Sequence, residues 1–292
     1  MNHYIISNYL RSSITFSIYR DMFEELRIGH RYLPVEIRTE KPSNVSTDEL
    51  SELRSFLQSF RQSDADCSIV VSNPFKQVIA GLCDELSPEA ARMGAVNLLY
   101  KRNNLILGRN IDGQALMLGQ SKSIKNDFRS TSVCILGCGG VSTSVSFSFA
   151  AAGAAKMRLF DIEQDRSKEL FKKLSKSFPS LDLDILSEVS DVSGFDVIYN
   201  GTGIGKESHD NLSVLQSPIS PDCKMTPATL AIDANYTPWK TRFLEICESH
   251  GCSLLNGFSH MVGFTTLHLS EVLGLQLDYT AITKIAERYV QK

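Results

Sequence analysis

A glycine-rich turn has the residue types and spacing that point most directly to chemistry. The buried-strand pattern Val133–Leu136 runs into Gly137-Cys-Gly139-Gly140-Val141, and a helical pattern follows. Glycines let a backbone turn tightly and approach a pyrophosphate, while the first N–H groups of the helix supply donors and a partial positive charge. Strand, turn and helix occur in the order that a dinucleotide-binding fingerprint requires. The pattern therefore predicts a dinucleotide site that includes Gly137, Gly139, Gly140 and Val141.

Asp161 supplies the second part of this fingerprint, because it ends the next strand pattern about 20 residues beyond the turn. A carboxylate there accepts hydrogen bonds from the ribose diol of NAD and repels the 2′-phosphate of NADP. The next residue is Ile162 rather than an arginine. We therefore predict NAD as the cofactor in preference to NADP, with Thr202 and Gly257 completing the binding set. The alternative is that Asp161 only caps the helix that follows it.

Alternating strand and helix patterns position this turn in a larger domain. Strand patterns occur at Val133–Leu136, Met157–Phe160, Asp182–Leu186, Asp196–Tyr199 and Leu230–Asp233. Helical patterns separate the first three, an alternation typical of right-handed βαβ units and a parallel sheet. Further strand patterns near the start of the chain, and two helical patterns at residues 258–273 and 279–290, indicate that the fold class is α/β throughout.

Composition limits the classes of function. The 292 residues are 42% hydrophobic and 22% charged, close to the globular average, which excludes disordered and fibrous proteins. A net charge of −3 offers no basic surface for nucleic acid or an anionic membrane. No apolar run approaches the ~20 residues that span a bilayer.

The seven cysteines are odd in number and scattered, without CxxC pairs. We expect free thiols in a reducing cytoplasm, and neither a disulfide nor a metal site. The first residues lack a charged segment followed by an apolar one, so they do not indicate a signal peptide.

Three further segments, together with the glycine turn, resemble shikimate dehydrogenases and quinate/shikimate dehydrogenases. They are Ser72-Asn-Pro74-Phe-Lys76, then Gly94-Ala-Val-Asn97 with Asn110-Ile-Asp112-Gly113, and Asp233-Ala-Asn-Tyr236-Thr-Pro238. Any one motif is weak, but the ordered set is specific and covers nearly the whole chain. The resemblance implies a substrate domain of residues 1–112, completed by C-terminal helices within 260–292. It implies a Rossmann-type, doubly wound nucleotide domain of residues 113–259, with the active site in the cleft between the domains.

Lys76 and Asp112 occupy the positions at which this family handles the proton of the reacting hydroxyl. Hydride leaves a secondary alcohol carbon only as the hydroxyl proton departs, so an amine and a carboxylate within hydrogen-bond reach suit the reaction. Asn97 is expected to hold the same oxygen. Without the resemblance, Lys76 would be interpreted as a solvated lysine at the end of a helix.

The resemblance also implies a substrate-binding set of Ser13, Thr15, Ser72 and Tyr236. Family members bind the substrate carboxylate through a pair of hydroxyls near the start of the chain, and Ser13-Ile-Thr15 preserves both. Taken alone, these two residues are most simply helix caps. Capping a helix and binding a ligand do not exclude one another.

Two positions depart from the family pattern, and both bear on the substrate. Val70 and Phe264 stand where the family offers amide groups to a polyol ring, so Phe264 is an apolar member of the substrate-binding set. A hydroxyl buried against an apolar side chain costs roughly 1–3 kcal/mol. The substitutions therefore predict a cyclic acid with fewer hydroxyls than shikimate. On the same terminal helix pattern, His260 and His268 are most simply packed residues, although His260 lies near Gly257 and so near the expected substrate.

These residues together predict an NAD-dependent oxidoreductase that interconverts a ring secondary alcohol and a ketone on a small cyclic carboxylic acid. We expect a monomer or a homodimer. The nearest alternative is a genuine shikimate or quinate dehydrogenase that reduces 3-dehydroshikimate. An alternative from another class is a sensor module that binds a ring acid without turning it over. The presence of both Lys76 and Asp112 argues against a pure binding module.

Overall fold

The strand patterns pair into two six-stranded sheets within the part of the chain that the structure describes. The structure is a computed structural model that describes residues 1–8, 14–39, 45–72, 74–123, 128–206, 213–274 and 276–290. The chain divides into two compact units, each with its own sheet. The first combines Met1–Ile111 with Thr265–Tyr289, and the second is built around Asp112–Phe264.

The first unit contains a mixed sheet in the order β2-β1-β3-β5-β6-β4. Its strands are β1 (Asn2–Ser7), β2 (Arg31–Glu36), β3 (Asp66–Val71), β4 (Glu85–Leu86), β5 (Leu98–Arg102) and β6 (Leu105–Arg109). Strand β1 is parallel to β2 and β3, whereas β5 is antiparallel to β3 and β6. The helices of this part of the chain are α1 (Ile14–Glu25), α2 (Thr47–Gln62), α3 (Lys76–Ala80) and α4 (Pro88–Met93).

The second unit contains an all-parallel sheet in the order β12-β11-β10-β7-β8-β9. Its strands are β7 (Ser132–Leu136), β8 (Lys156–Phe160), β9 (Asp182–Ile185), β10 (Val197–Asn200), β11 (Leu230–Asp233) and β12 (Ser253–Leu255). Numbered along the chain, this is the doubly wound order 3-2-1-4-5-6, whose direction reverses between β7 and β10. The prediction of an α/β fold with a Rossmann-type domain is therefore confirmed.

Six further α-helices follow β6 in the described part of the chain. They are α5 (Asp112–Ser123), α6 (Gly140–Ala151), α7 (Gln164–Ser177), α8 (Arg242–Ser249), α9 (Phe258–Leu273) and α10 (Tyr279–Ala286), with short 3₁₀ helices at Ser213–Leu215 and Glu287–Tyr289. The five predicted strands are present. The sixth, β12, has only three residues and is too short for its pattern to identify it.

Each unit has a separate apolar core. In the first, α2 packs Leu53, Leu57 and Phe60 against the sheet through Ile69 and Val71. In the second, an apolar cluster under the sheet includes Leu136, Ile198, Ala231, Phe243 and Cys247. All seven cysteines are free thiols. None of the described helices is long and apolar enough to cross a membrane.

Candidate active site

Gly137 lies at the carboxyl end of β7, at the point where the strand order reverses. Its φ is +81°, and a Cβ there would lie 2.9 Å from Cγ2 and 3.0 Å from Cα of Thr202. Both the left-handed backbone and this close approach favour glycine. The packing of the turn therefore requires glycine at position 137. The predicted cofactor residue Thr202 packs against the turn at this point.

Gly139 has a different reason to be glycine. It is the N-cap of α6 with φ −74°, which any residue adopts, and a Cβ there would meet no protein atom within 4 Å. Gly140 then begins α6, and Val141 is half-buried in its first turn. A helix N-terminus reached over a bare backbone fits the pyrophosphate of a dinucleotide. These residues thus fit an NAD-type cofactor.

The Asp161 carboxylate is held between the turn and the next helix. Its Oδ2 accepts the N–H of Cys138 at 2.7 Å, and its Oδ1 accepts the N–H of Glu163, the N-cap of α7, at 2.9 Å. Asp161 therefore does help to cap the start of α7, as the alternative interpretation predicted. An ionised carboxylate has about four acceptor sites, so these two bonds leave capacity for a ribose diol.

An arginine also lies near this turn, although the sequence pattern does not identify it. Arg166 pairs with Glu163 at 3.0 Å. Burial, followed by the charge of Asp161, raises the pKa of the Cys138 thiol to about 12, while the Arg166 charge opposes the shift. Arg166 is thus within electrostatic reach of the turn.

Thr202 and Gly257 both shape loops at the carboxyl edge of the sheet. The hydroxyl of Thr202 donates to Oδ1 of Asn200 at 2.7 Å and accepts the N–H of Ile204 at 3.1 Å. Any Cβ at Gly257 would collide with the carbonyl of Ala234. The structure therefore gives Gly257 a packing reason to be glycine, whereas its predicted cofactor contact stays a prediction.

Asp233 explains the polar start of the third motif. It is fully buried at the end of β11, where it accepts the N–H of Asn235 at 2.8 Å and the hydroxyl of Thr241 at 2.5 Å. Burial raises the pKa of Asp233 to about 6 against these hydrogen bonds, which lower it. The motif thus orders the loop that leads to the half-buried Tyr236.

Lys76 is buried, with 7% of its surface exposed, as the first residue of α3. The interpretation as a solvated lysine is therefore wrong. Its carbonyl accepts the N–H of Val96 at 2.8 Å, and the next residue, Asn97, is also buried. Oδ1 of Asn97 accepts the N–H of Ile111 at 2.9 Å, and its Nδ2 donates to Asn110 at 3.1 Å. The segment Val96–Asn97 thus positions both Lys76 and Ile111, the residue that precedes Asp112.

Asp112 is also buried, with 6% exposed, and it begins α5. The N–H of Gly113 donates to Oγ of Ser144 on α6 at 2.8 Å, and a Cβ at Gly113 would collide with Ser148. Burial, then the charges of Asp112 and Asp233, raise the pKa of Tyr199 well above its usual range, so Tyr199 is close to Asp112.

Ser144, which accepts the N–H of Gly113 at the start of α5, is a residue that the motifs do not identify. It belongs to a run of alternating serines at positions 142, 144, 146 and 148. In the structure, the side chains of Ser142, Ser144 and Ser146 are buried.

Three residues of the predicted substrate set lie on or beside α1, β3 and α9. Thr15 is half-buried in the first turn of α1, whereas Ser13 lies outside the described residues. Ser72 follows β3, where its N–H donates to the carbonyl of Ile6 at 2.9 Å. Val70, with 8% exposed, shares the β3 face of Ser72 because strand side chains alternate. Phe264 is half-buried on α9.

Comparison with known proteins places this site in context. Residues 5–99 match the family model described as the shikimate dehydrogenase substrate binding domain. The NADP(+) shikimate dehydrogenase of Alkaliphilus oremlandii is 25% identical over 94% of this chain and 93% of its own. Shikimate 5-dehydrogenase from Listeria monocytogenes, solved with shikimate and NAD, is 23% identical and superposes over 97% of this chain and 95% of its own, with a TM-score of 0.83.

A third match widens the range of activities found on this fold. The 5-ketofructose reductase of a Gluconobacter strain is 20% identical and superposes over 99% of this chain and 98% of its own, with a TM-score of 0.80. The combination of a Rossmann-type domain with this substrate domain defines the class, an NAD(P)-dependent oxidoreductase. Within that class, these matches support a member of the shikimate dehydrogenase family, in agreement with the resemblance drawn from the motifs.

The two glycines of the turn are expected to respond differently to alanine. Gly139→Ala leaves the urea-unfolding free energy within about 1 kcal/mol of the wild type, because its φ suits any residue. It raises the Kd for NADH at least about tenfold, equivalent to about 1.4 kcal/mol, because the new methyl group stands where the pyrophosphate approaches. Gly137→Ala lowers stability by about 1–3 kcal/mol, since its φ is strained for alanine. Unchanged NADH affinity in a folded Gly139→Ala variant would contradict the assignment.

Proposed function

We propose that this protein is an NAD-dependent dehydrogenase that interconverts a ring secondary alcohol and a ketone on a small cyclic carboxylic acid carrying fewer hydroxyls than shikimate. The observation that carries the proposal is the burial of Lys76 and Asp112 within a family whose members act on a ring alcohol. The seven free thiols suit a reducing cytoplasm, where we place the protein.

Lys76 and Asp112 handle the proton of the reacting hydroxyl. A bound nicotinamide supplies or accepts the hydride. As the alcohol is oxidised, its proton passes to the Lys76–Asp112 pair, and in ketone reduction the same pair returns a proton to the oxygen. The side-chain amide of Asn97 accepts the N–H of Ile111, so it supports the neighbouring Asp112 through the backbone. Its Nδ2 carries a second hydrogen, which suits the predicted contact with the substrate oxygen.

Lys76→Ala is expected to lower kcat by about 10²- to 10⁴-fold, the usual contribution of a positioned acid or base. The Kd for NADH stays within about twofold, because the dinucleotide residues belong to the second unit. Stopped-flow absorbance at 340 nm gives kcat, and fluorescence titration gives Kd. Lys168→Ala, at a side chain with 62% exposed, is the matched control and keeps full turnover. Normal turnover in Lys76→Ala would remove Lys76 from the mechanism.

Asp161 is the basis for proposing NAD over NADP. Its carboxylate is fixed by two backbone N–H groups, so it cannot turn away from a 2′-phosphate without breaking them. Arg166, which could attract that phosphate, is paired with Glu163. The related Alkaliphilus enzyme is named for NADP(+). The proposal of NAD for this chain rests instead on the position of Asp161.

The wild type is expected to show a kcat/KM for NAD at least about tenfold above that for NADP, a preference of about 1.4 kcal/mol. Asp161→Asn reduces this preference because it removes the charge that repels the phosphate. Asp165→Asn is the control, since that carboxylate is 97% exposed on α7. Steady-state kinetics with both cofactors measure the ratio. An NADP preference in the wild type would refute the proposal.

Val70 and Phe264 support the proposal of a less hydroxylated ring. Val70 is buried on the strand face that leads to Ser72, so a ring hydroxyl directed at it would lose a hydrogen-bond partner. Each such loss costs about 1–3 kcal/mol, which is about a ten- to hundredfold change.

A substrate panel tests this specificity. The wild type is expected to oxidise 3-hydroxycyclohex-1-ene-carboxylate with a kcat/KM at least equal to that for shikimate or quinate. The double variant Val70→Asn, Phe264→Gln is expected to raise kcat/KM for shikimate about tenfold or more, because it restores polar partners. Efficient oxidation of shikimate by the wild type would instead identify a genuine shikimate dehydrogenase. Binding of ring acids without any change at 340 nm would identify a sensor module.

A further inference from the structure

A chain of buried hydrogen bonds crosses the first unit. The hydroxyl of Tyr19 lies 2.6 Å from Nδ1 of His268, whose Nε2 lies 2.8 Å from Oγ of Ser68. Ser68 lies 2.7 Å from Nδ1 of His3, whose Nε2 lies 2.8 Å from Nδ1 of His30. The first four side chains are fully buried, and His30 is partly exposed. We refer to these five residues as the histidine chain.

The hydrogen bonds of the histidine chain can run in either of two directions, which differ in the tautomer of its rings. If the phenol of Tyr19 donates to Nδ1 of His268, the neutral ring carries its hydrogen on Nε2. If His268 donates to the phenol oxygen, the neutral ring carries its hydrogen on Nδ1.

The hydroxyl of Ser68 couples the two rings, because it donates to one of them and accepts from the other. His3 and His268 therefore both carry their hydrogen on Nε2 or both carry it on Nδ1. Each ring accepts a hydrogen bond at one nitrogen only while it is neutral. Burial lowers the pKa of His268 well below its usual range and that of His3 to about 3, in keeping with this requirement.

The histidine chain joins three elements on or beside which Thr15, Ser72 and Phe264 of the proposed substrate set lie. Tyr19 lies on α1, Ser68 on β3 and His268 on α9. Thr15 precedes Tyr19 by four residues, and Phe264 precedes His268 by four. Residues four apart share one face of a helix, one turn from each other.

Strand β3 shows the same arrangement with the two-residue period of a strand. Ser68, Val70 and Ser72 alternate along β3 and therefore share one face. Each of the three elements thus places a histidine-chain residue one structural repeat from a residue predicted to meet the substrate. His268, which contacts both other elements, is the residue common to all of them.

We propose that His268 is a positioning residue for the ring-acid subsite. Through its two ring nitrogens it sets α1, β3 and α9 against one another, and so fixes Thr15, Val70 and Ser72 together with the helix that carries Phe264. This role rests on the proposed function, because it requires that these residues meet the substrate. Its structural basis, the neutral state of His3 and His268 in one shared tautomer, is independent of any activity.

Acid is expected to destabilise the fold through the histidine chain. His268 faces Tyr19 from α1 and His3 from β1, while His3 faces His30 and the amino group of Met1. The imidazole and ammonium groups disfavour a further positive charge. Because the folded-state pKa values are lowered, the unfolded chain takes up protons first, and stability falls as the pH drops from about 6.5 towards 3. Replacing His268 makes this acid-side loss shallower.

The first experiment is ¹⁵N NMR of the histidine rings in the full chain at pH 5.5, with the peaks assigned from His3→Gln and His268→Gln. The expected result is two neutral rings in the same tautomer. A protonated ring at either position, or different tautomers at the two positions, would overturn the chain as described. Shikimate and turnover play no part in this measurement.

The second experiment separates positioning from general damage, with NAD and shikimate as the probe. His268→Leu is expected to raise KM for shikimate at least tenfold, with kcat within about threefold and the Kd for NADH unchanged. His268→Gln, which keeps an acceptor and a donor, is expected to restore most of the KM and to keep the shallower acid profile. His250→Leu, at the end of α8, is the control that leaves both constants unchanged.

The outcomes distinguish this inference from the proposed function. An unchanged KM in His268→Leu, or a matching rise in the Kd for NADH, would overturn the positioning role. If the wild type turns over no ring acid, the proposed function fails, and calorimetric Kd values for shikimate replace KM in the same comparison. A wild type that binds no ring acid would overturn the positioning role as well, while the ring tautomers still decide the histidine chain.

Discussion

The buried amide of Asn97 is the interaction on which the candidate catalytic residues depend. It accepts the N–H of Ile111 and donates to Asn110, whose own amide donates to the carbonyl of Ala95 at 3.2 Å. Leaving such groups unpaired in a core costs about 1–3 kcal/mol each, so the segment has little freedom to move. Because Val96 bonds to the carbonyl of Lys76, the same short segment sets both candidate catalytic positions.

The second unit follows the same rule at its own carboxylates. Asp161 is held by two backbone N–H groups and Asp233 by a backbone N–H and a hydroxyl. In each case the hydrogen bonds fix the loop that follows a parallel strand. Ligands of doubly wound sheets bind at this carboxyl edge, near the point where the strand order reverses. Hydrogen bonds to these two carboxylates thus help to order the loops that a cofactor would meet.

Substrate preference depends on far fewer atoms than the fold. The chain shares its fold with the Listeria enzyme at 23% identity, so most side chains differ while the layers are the same. Cores tolerate such replacement when volume and patterning are kept. A hydrogen bond to a ring hydroxyl has no such tolerance, because a single apolar substitution removes it. Two positions, Val70 and Phe264, therefore carry the proposed difference from shikimate.

Local chemistry made parts of this protein predictable from its sequence. Five strands of the second sheet follow from short apolar runs bounded by turns, because such runs are buried in any parallel sheet. Gly137 and Asp161 follow from a spacing that one strand, one turn and one helix impose. Lys76 and Asp112 were identifiable only because the ordered motifs around them resemble a family, since an isolated lysine or aspartate carries no signal.

Other features were decided by the tertiary structure alone. The sequence by itself determined the fold class, the resemblance to a family and the glycine turn, all of which rest on neighbours along the chain. The Arg166–Glu163 pair beside the cofactor turn, the bond from Gly113 to Ser144 and the contact between Tyr19 and His268 required folding to reveal them. The last of these joins residues that are 249 positions apart. A hydrogen bond between such distant residues leaves no periodic pattern in the sequence, because only the packing of the sheet and its helices sets their distance.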